Sequence, residues 1–296
     1  MDEFYDMKLS VVILNYNMRG LLTYCLKSLH RHPSRQQTEL IVVDNASVDG
    51  SRVRLKEWEQ SQPFEPLPIS VTYRAQNQGY AVGNNEGIRA ATGEYILILN
   101  PDIAVLPSSI DRMVDYLDRH PSVAVVGPKL LNPDKSLQHS CYRFPSMATP
   151  LYRRTILGNT PWGRNHVRSY MMMDWDHDSE AAVDWIMGSA MMLRRSAIEH
   201  VGGLDEQFFM YFEDIDWCRR FWLSGYEVHY LGSAVMVHYH QRLSADTGVW
   251  ALRSWATRTH IASAIRYFTK YASHEPIITS QQVSTKTQQQ IPGTTL

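Results

Sequence analysis

Along residues 8–127, short apolar runs alternate with longer segments in which apolar positions recur every three or four residues. The short runs at 9–14, 40–43, 69–73, 95–99 and 123–126 predict strands. The segments at 18–30, 51–60, 80–91 and 107–119 predict helices between them. Ser10-Val11-Val12-Ile13-Leu14 is almost continuously apolar, as a strand covered on both faces should be. Strand–helix alternation of this kind predicts an α/β fold with a mostly parallel sheet flanked by helices.

Beyond about Lys129 the rhythm changes. Segment 141–180 is rich in Arg, Met, Pro and Trp without a clear period, and is expected to be a loop-rich excursion over the site. Apolar runs at 183–187 and 190–193 follow, then a helix over 215–223, strands at 227–231 and 234–239, and a long helix over 248–271. At 100° per residue Trp250, Ile261, Ile265 and Phe268 share an arc of roughly 60°, the face expected to pack. The tail 273–296, rich in Gln, Ser and Thr, is expected to be disordered.

In an open parallel sheet, ligands bind beyond the carboxyl ends of the strands, so the residues that leave each strand carry the chemistry. They are Asn15-Tyr16-Asn17, Asp44-Asn45-Ala46-Ser47, Asn77-Gln78-Gly79-Tyr80 and Asn100-Pro101-Asp102. Asp44 could accept hydrogen bonds from a base imide or a ribose, and Ser47 could cap the next helix. Gly79, Gly83 and Gly87, four apart, would let a helix lie close on the sheet. Asp102 could hold Mg²⁺ or Mn²⁺ through oxygen. Asn-Pro-Asp is also ordinary turn chemistry, and Asn132-Pro133-Asp134 is expected to be such a turn. His238, closing the strand at 234–239, could join Asp102 at a metal or diphosphate, with His240 the weaker candidate. Asp174, Asp176 and Asp178 lack the glycine of a calcium loop.

The segment Gly202-Gly203 through Phe209-Met210-Tyr211-Phe212-Glu213-Asp214 sets an acidic pair where a helix begins. The helix macrodipole favours a carboxylate there and should keep it ionised. An ionised carboxylate on an aromatic floor can take a proton from a hydroxyl.

The 296-residue composition removes several classes of function. Net charge is −1, so the overall balance implies no nucleic-acid partner. Three distant cysteines, Cys25, Cys141 and Cys218, form neither a disulfide framework nor a zinc motif. No apolar run reaches the roughly 18 to 20 residues that span a bilayer. A cytoplasmic protein is expected. Peripheral contact with the inner face of a membrane stays open through Arg153, Arg154, Arg164, Arg168 and the 248–271 helix. There is neither a Walker pattern nor G-x-G-x-x-G, which counts against kinase and dehydrogenase readings.

Taken together, Val11–Asn17, Val42–Ser47, Asn77–Tyr80, Asn100–Asp102 and Phe209–Asp214 resemble the family 2 glycosyltransferases of the GT-A fold, over residues 8–245. The combination of N-P-D, F-M-Y-F-E-D and a later histidine resembles the rhamnosyltransferase-like branch. The resemblance implies a nucleotide-binding half (8–127), an acceptor and catalytic half with a loop-rich region (128–245), a C-terminal helix (246–272) and a tail (273–296). It implies inverting, metal-dependent transfer from a nucleoside-diphosphate sugar, L-rhamnose first among them, to a saccharide or lipid-linked acceptor in cell-surface polysaccharide synthesis.

The resemblance also implies the roles of individual residues. Asp44 reads a pyrimidine. Asn15, Asn17, Asn45, Asn77, Gly79, Asn85 and Asn100 surround the nucleotide. Asp102 with His238 holds Mg²⁺ or Mn²⁺, and Asp214 is the base beside Glu213. Asn100 departs from the family's usual D-x-D. A nucleotidyltransferase would want a glycine- and basic-rich loop where Asn15-Tyr16-Asn17-Met18-Arg19-Gly20 stands. A non-catalytic sugar-binding module would have no use for Asp214.

Overall fold

The computed structural model describes residues 7–239 and 254–273. The first half follows the apolar pattern. Strand β1 (Leu9–Asn15), helix α1 (Arg19–Arg31), β2 (Thr38–Asp44), α2 (Ser51–Ser61), β3 (Ile69–Tyr73), α3 (Tyr80–Ala90) and β4 (Tyr95–Leu99) follow one another along the chain, the strands in one sheet. The four strands are parallel, in the order β3-β2-β1-β4. Adjacent β1 residues serve opposite layers. Val11 and Ile13 pack with Leu22 and Leu26 of α1 and Leu55 of α2, whereas Val12 packs on the side of Ile88 of α3. Covering both faces is what made the run continuously apolar.

Helix α3 lies close on β1 because its glycines permit it. A Cβ on Gly83 would collide with the Leu14 side chain, and one on Gly87 with Val12.

After β4 the chain forms β5 (Ile103–Val105), α4 (Ser109–Arg119) and β6 (Val123–Leu131). Strand β6 turns through Asn132-Pro133-Asp134 into β7 (Leu137–Gln138), an antiparallel hairpin as expected, with Lys135 N–H donating to Asn132 O at 2.8 Å. Then come β8 (Cys141–Tyr142), α5 (Thr149–Arg154), a 3₁₀ turn (Ile156–Asn159), α6 (Pro161–Tyr170), β9 (Glu180–Ala182), β10 (Trp185–Ile186), β11 (Ala190–Arg194), α7 (Arg195–Val201), α8 (Glu213–Leu223), β12 (Glu227–His238) and α9 (Trp255–Lys270). The sheet continues β4-β11-β6-β12-β5. Strand β11 runs antiparallel to β4 and β6, β12 runs parallel to β6, and β5 runs antiparallel to β12.

Three expectations are corrected. Segment 141–180 is not mainly loop: α5, the 3₁₀ turn and α6 occupy its centre. Thr160 accepts from Gly163 N–H at 3.1 Å with Pro161 in the first helical position, an ordinary helix start. The strands expected at 227–231 and 234–239 are one strand, β12, interrupted by a register shift between Leu231 and Val235. Helix α9 buries Ala256, Thr257, Ser263 and Tyr267, while Ile261 and Ile265 of the expected packing face are exposed. Small residues prevail there because α9 approaches the backbone of the 205–216 segment. Trp250, His240 and the tail 274–296 lie outside the described residues, as do the first turns of the helix expected from 248.

Candidate active site

The expected site residues gather at the carboxyl ends of β1, β2 and β4. Asn15 Nδ2 donates to Asp44 Oδ1 at 3.1 Å and to Ser47 Oγ at 3.1 Å. Ser47 does not cap a helix. Its hydroxyl also accepts from Asn17 N–H at 3.0 Å, while Asn17 Oδ1 accepts from Val48 N–H at 2.8 Å. Asp44 is fully buried, and its Oδ2 accepts from Ser47 N–H at 3.1 Å and Arg52 Nε at 2.7 Å. Arg52, which the sequence did not single out, therefore fixes the orientation of Asp44. The Oδ1 atom, which accepts from Asn15 alone among the described residues, keeps acceptor capacity.

Asn45 Nδ2 donates to Asn77 Oδ1 at 2.8 Å and to Gly79 O at 3.2 Å, joining the β2 and β3 exits. Gly79 has φ +97°, and a Cβ there would strike the Phe209 carbonyl; that same carbonyl accepts from Tyr80 N–H at 2.8 Å. The start of α3 is thus closed by the segment that carries the acidic pair. Asn85 is not part of this network. Its amide meets Leu204 O at 2.8 Å, Glu206 Oε1 at 3.0 Å and Leu204 N–H at 2.9 Å, which staples α3 to the 204–206 turn.

The β5–β12 register places His238 opposite Ile103, and Tyr239 N–H reaches Asp102 O at 2.8 Å. His238 Nε2 stands 3.3 Å from Asp102 Oδ2. His238 Nδ1 lies 2.6 Å from Gln138 Oε1, an acceptor, so Nδ1 carries a proton and Nε2 is the nitrogen turned to the carboxylate. Asp102 is only 7% exposed, and its Oδ1 has no hydrogen-bond partner. A buried carboxylate with an unsatisfied oxygen, beside an imidazole nitrogen, suits a cation. No cluster of three or more protein ligands exists among the described residues, so other positions would fall to a ligand's oxygens or to water. The Asp174, Asp176 and Asp178 carboxylates instead turn to Arg168, to Asp178 N–H and Ser179, and to Lys129.

The acidic pair opens α8. Asp214 Oδ2 accepts from Gly188 N–H at 2.9 Å and Oδ1 from Ile215 N–H at 2.9 Å. The next residue, Ser189, accepts through its carbonyl from Asn100 N–H at 2.8 Å, so one backbone step joins Asp214 to the β4 exit. Tyr80, whose hydroxyl donates to Gly188 O at 2.5 Å, feels the charges of Glu213, Asp214 and Asp102. Tyr80 stood in the strand-exit motif without a role of its own, and Gly188 was not singled out, because both roles arise from the β10–β11 corner.

The macrodipole does not dominate at this pair. Burial pushes Asp214 up to about 6 against the two backbone donors. Burial, then the charge of Asp214, pushes Glu213 well above the usual carboxylate range, and its Oε2 has no partner. The pair therefore keeps a proton on Glu213 while Asp214 ionises near neutrality, a poise suited to a general base.

The loop before α8 is strained, with Tyr211 at φ +71° and Phe212 at φ +70°, both bulky residues in the left-handed region. Helix α9 holds it. Ser263 Oγ donates to Met210 O at 2.9 Å, Arg266 donates to Gln207 O, and the His260 ring lies 4.9 Å from Tyr211 and 5.3 Å from Phe212. Lys270 reaches both Asp205 and the fully buried Asp216 at 2.7 Å, and Tyr271 adds a bond to Asp216 at 2.8 Å.

Residues 10–202 match the model of the glycosyl transferase family 2. The chain belongs to this family. It is 30% identical over 243 residues to an N-acetylglucosaminyl-diphospho-decaprenol L-rhamnosyltransferase of Mycobacterium tuberculosis, covering 78% of this chain and 76% of that protein. It is 28% identical over 202 residues to the rhamnosyltransferase WbbL of Escherichia coli, covering 64% and 71%. A mannosyltransferase of Pyrobaculum calidifontis, solved with GDP-Man and Mn²⁺, superposes with a TM-score of 0.55 at 16% identity, over 97% of this chain and 84% of that one. This family 2 glycosyltransferase thus has the GT-A fold, a mixed sheet with a mostly parallel centre between helices. Asp214 and α9 lie beyond the matched 10–202.

Proposed function

We propose that this glycosyltransferase moves L-rhamnose from a dTDP-linked donor to a saccharide carried on a lipid, with inversion at the anomeric carbon. The observation that carries the reading is one strand edge with two separated acidic functions. Asp102 beside His238 sits at the β4 and β12 ends, and Asp214, poised near 6, stands across the Gly188–Ser189 corner. The rhamnosyltransferase names of the relatives in M. tuberculosis and E. coli support the sugar and the lipid-linked acceptor.

Asp102 and His238 would hold Mg²⁺ or Mn²⁺, which supplies charge stabilisation to a departing diphosphate. Asp44, oriented by Asn15 and Arg52, offers Oδ1 to a pyrimidine imide, and the Asn45–Asn77–Gly79 network carries the nucleotide's other edge. Asp214 takes the proton of the acceptor hydroxyl as that oxygen attacks the anomeric carbon, and the C–O bond to the diphosphate breaks with its electrons going to the leaving group. Glu213, protonated, keeps a second negative charge away from the base. The enzyme works at the inner face of a membrane as a peripheral protein. No helix among the described residues is long and apolar enough to cross one.

Calorimetry with Mn²⁺ across a panel of nucleotide sugars tests the donor. Tightest binding is expected for dTDP-L-rhamnose. Tighter binding of UDP-N-acetylglucosamine or UDP-galactose would replace the donor and leave a second reading, transfer from another UDP- or dTDP-sugar.

A further inference from the structure

Helices α5 and α6, with the 3₁₀ turn between them, enclose a cavity of about 540 Å³ that the donor chemistry does not use. The described residues lining it include Arg153, Arg164 and Arg168, with Thr155 and Asn159, and no carboxylate. From Pro145 to Met173 the sequence holds four arginines and no Asp or Glu. Arg168 is neutralised by Asp174 outside the lining. Among the described residues no carboxylate pairs with Arg153 or Arg164. A concave, acid-free site with two uncompensated guanidiniums fits phosphate oxygens, which guanidinium binds in bidentate fashion.

Two features give this anion an identity. The same three helical elements carry exposed apolar side chains close in sequence to the lining: Ile156 is 84% exposed and Trp162 79%, with Leu151 and Leu157 also exposed. Large apolar side chains beside arginines are the composition of a surface that meets lipid. The inner wall leads to the base. The Arg153 guanidinium lies 5.4 Å from the Tyr170 ring centroid, Tyr170 stacks on Tyr142 at 5.5 Å, and Tyr142 stacks on Trp185 at 4.5 Å. Three residues after Trp185, Gly188 donates to Asp214. The charge of Asp214 and that of Arg153 both act on Tyr170. An anion in the cavity is therefore one aromatic wall from Asp214.

We propose that Arg153 and Arg164 bind the diphosphate of a lipid-linked acceptor in the α5–α6 cavity, with the lipid leaving past Ile156 and Trp162. The proposal rests on the lipid-linked reading above. Its test uses geranyl diphosphate as the probe, in calorimetry with Mn²⁺ and saturating nucleoside diphosphate so that the donor site is filled.

Arg153→Ala with Arg164→Ala should weaken geranyl diphosphate about ten- to a hundredfold. Arg164→Lys should lie between, because the charge remains and the bidentate fork is lost. In transfer assays the same pair should raise KM for a diphosphate-lipid acceptor by a similar factor while KM for the donor stays within about twofold. Unchanged geranyl diphosphate affinity in the double variant would overturn the proposal. So would failure of the wild type to bind geranyl diphosphate while it binds anionic vesicles, an outcome that makes the patch a membrane-docking surface alone. Inorganic diphosphate should bind more weakly than geranyl diphosphate, and equal affinity would remove the lipid from the proposal. Transfer to neutral glycosides without geranyl diphosphate binding would sink this site and leave the transferase reading. Binding without transfer to any lipid-linked acceptor would do the reverse.

Discussion

The poise of the acidic pair makes a quantitative claim about pH. Asp214 is raised from 3.8 to about 6, a preference for the neutral form of about 3 kcal/mol. A base must be ionised to work, so activity is present above this value and is lost as pH falls through it. At pH 5 about one-tenth of Asp214 is ionised, and kcat/KM should be about a tenth of its plateau, falling about tenfold per further unit. An ordinary aspartate would keep more than about nine-tenths of its charge at the same pH. Glu213, raised further, is protonated while Asp214 titrates, so Glu213→Gln copies its working state. This variant should keep the limb near 6 and stay within about tenfold of wild type, whereas Asp214→Asn should lose about a hundredfold or more. The assay is nucleoside diphosphate release at limiting acceptor from pH 4.5 to 9, repeated at two saturating Mn²⁺ concentrations. A limb that moves between the two Mn²⁺ concentrations would belong to the metal site; the Asp214 limb should not move. A limb near 4, or one abolished by Glu213→Gln and kept in Asp214→Asn, would refute the assignment.

Other outcomes follow from individual contacts. Excess EDTA should stop transfer, and Asp102→Ala should remove the Mn²⁺ enhancement of nucleotide binding; full activity after rigorous metal removal would sink the metal role. Gly79→Ala combines a left-handed backbone with a clash against the Phe209 carbonyl, so thermal unfolding should show a loss of about 1 to 3 kcal/mol together with reduced turnover. Asp216→Ala removes a fully buried carboxylate shared by Arg220, Tyr271 and Lys270 and should cost about 3 kcal/mol in denaturant titration. Burial favours the protonated form of Glu213 in the folded state, so its stabilising contribution is complete below the unfolded carboxylate range and fades as pH rises. The melting temperature of Glu213→Gln relative to wild type should therefore increase with pH, and a flat difference would contradict that burial.

The nucleotide-side elements were legible because the strands covered on both faces are nearly continuous apolar runs, and the edge strand β3 is a short β-branched and aromatic one. For β3 and β4 the expected ends coincide with the observed ones. Motif positions were legible for the same reason, since a strand end is visible wherever such a run stops. What was hidden is what another element supplies. Asn85 resembled a nucleotide contact until the 204–206 turn claimed its amide. Arg52 is an unremarkable helix residue until β2 brings Asp44 to it, and Gln138 becomes a support for His238 only once the β6–β7 hairpin folds. Helix α9 misled because periodicity finds apolar stripes, while its buried face is built from Ala, Thr, Ser and Tyr that pack on backbone and on charged partners. The acidic pair was placed correctly at a helix start, but its protonation depends on burial by Tyr80 and the β10–β11 corner, which no local pattern records.

The double reach of Lys270, to Asp205 at one end of the loop and to Asp216 at the other, has a consequence for engineering. A segment exchanged with a relative between these two aspartates cannot be grafted alone, because a helix of foreign sequence would remove the lysine from both carboxylates and leave the buried Asp216 to Arg220. The loop and the last three turns of α9 form one transplantable unit, so chimaeras cut between residues 217 and 254 should fail where those that carry both pieces fold.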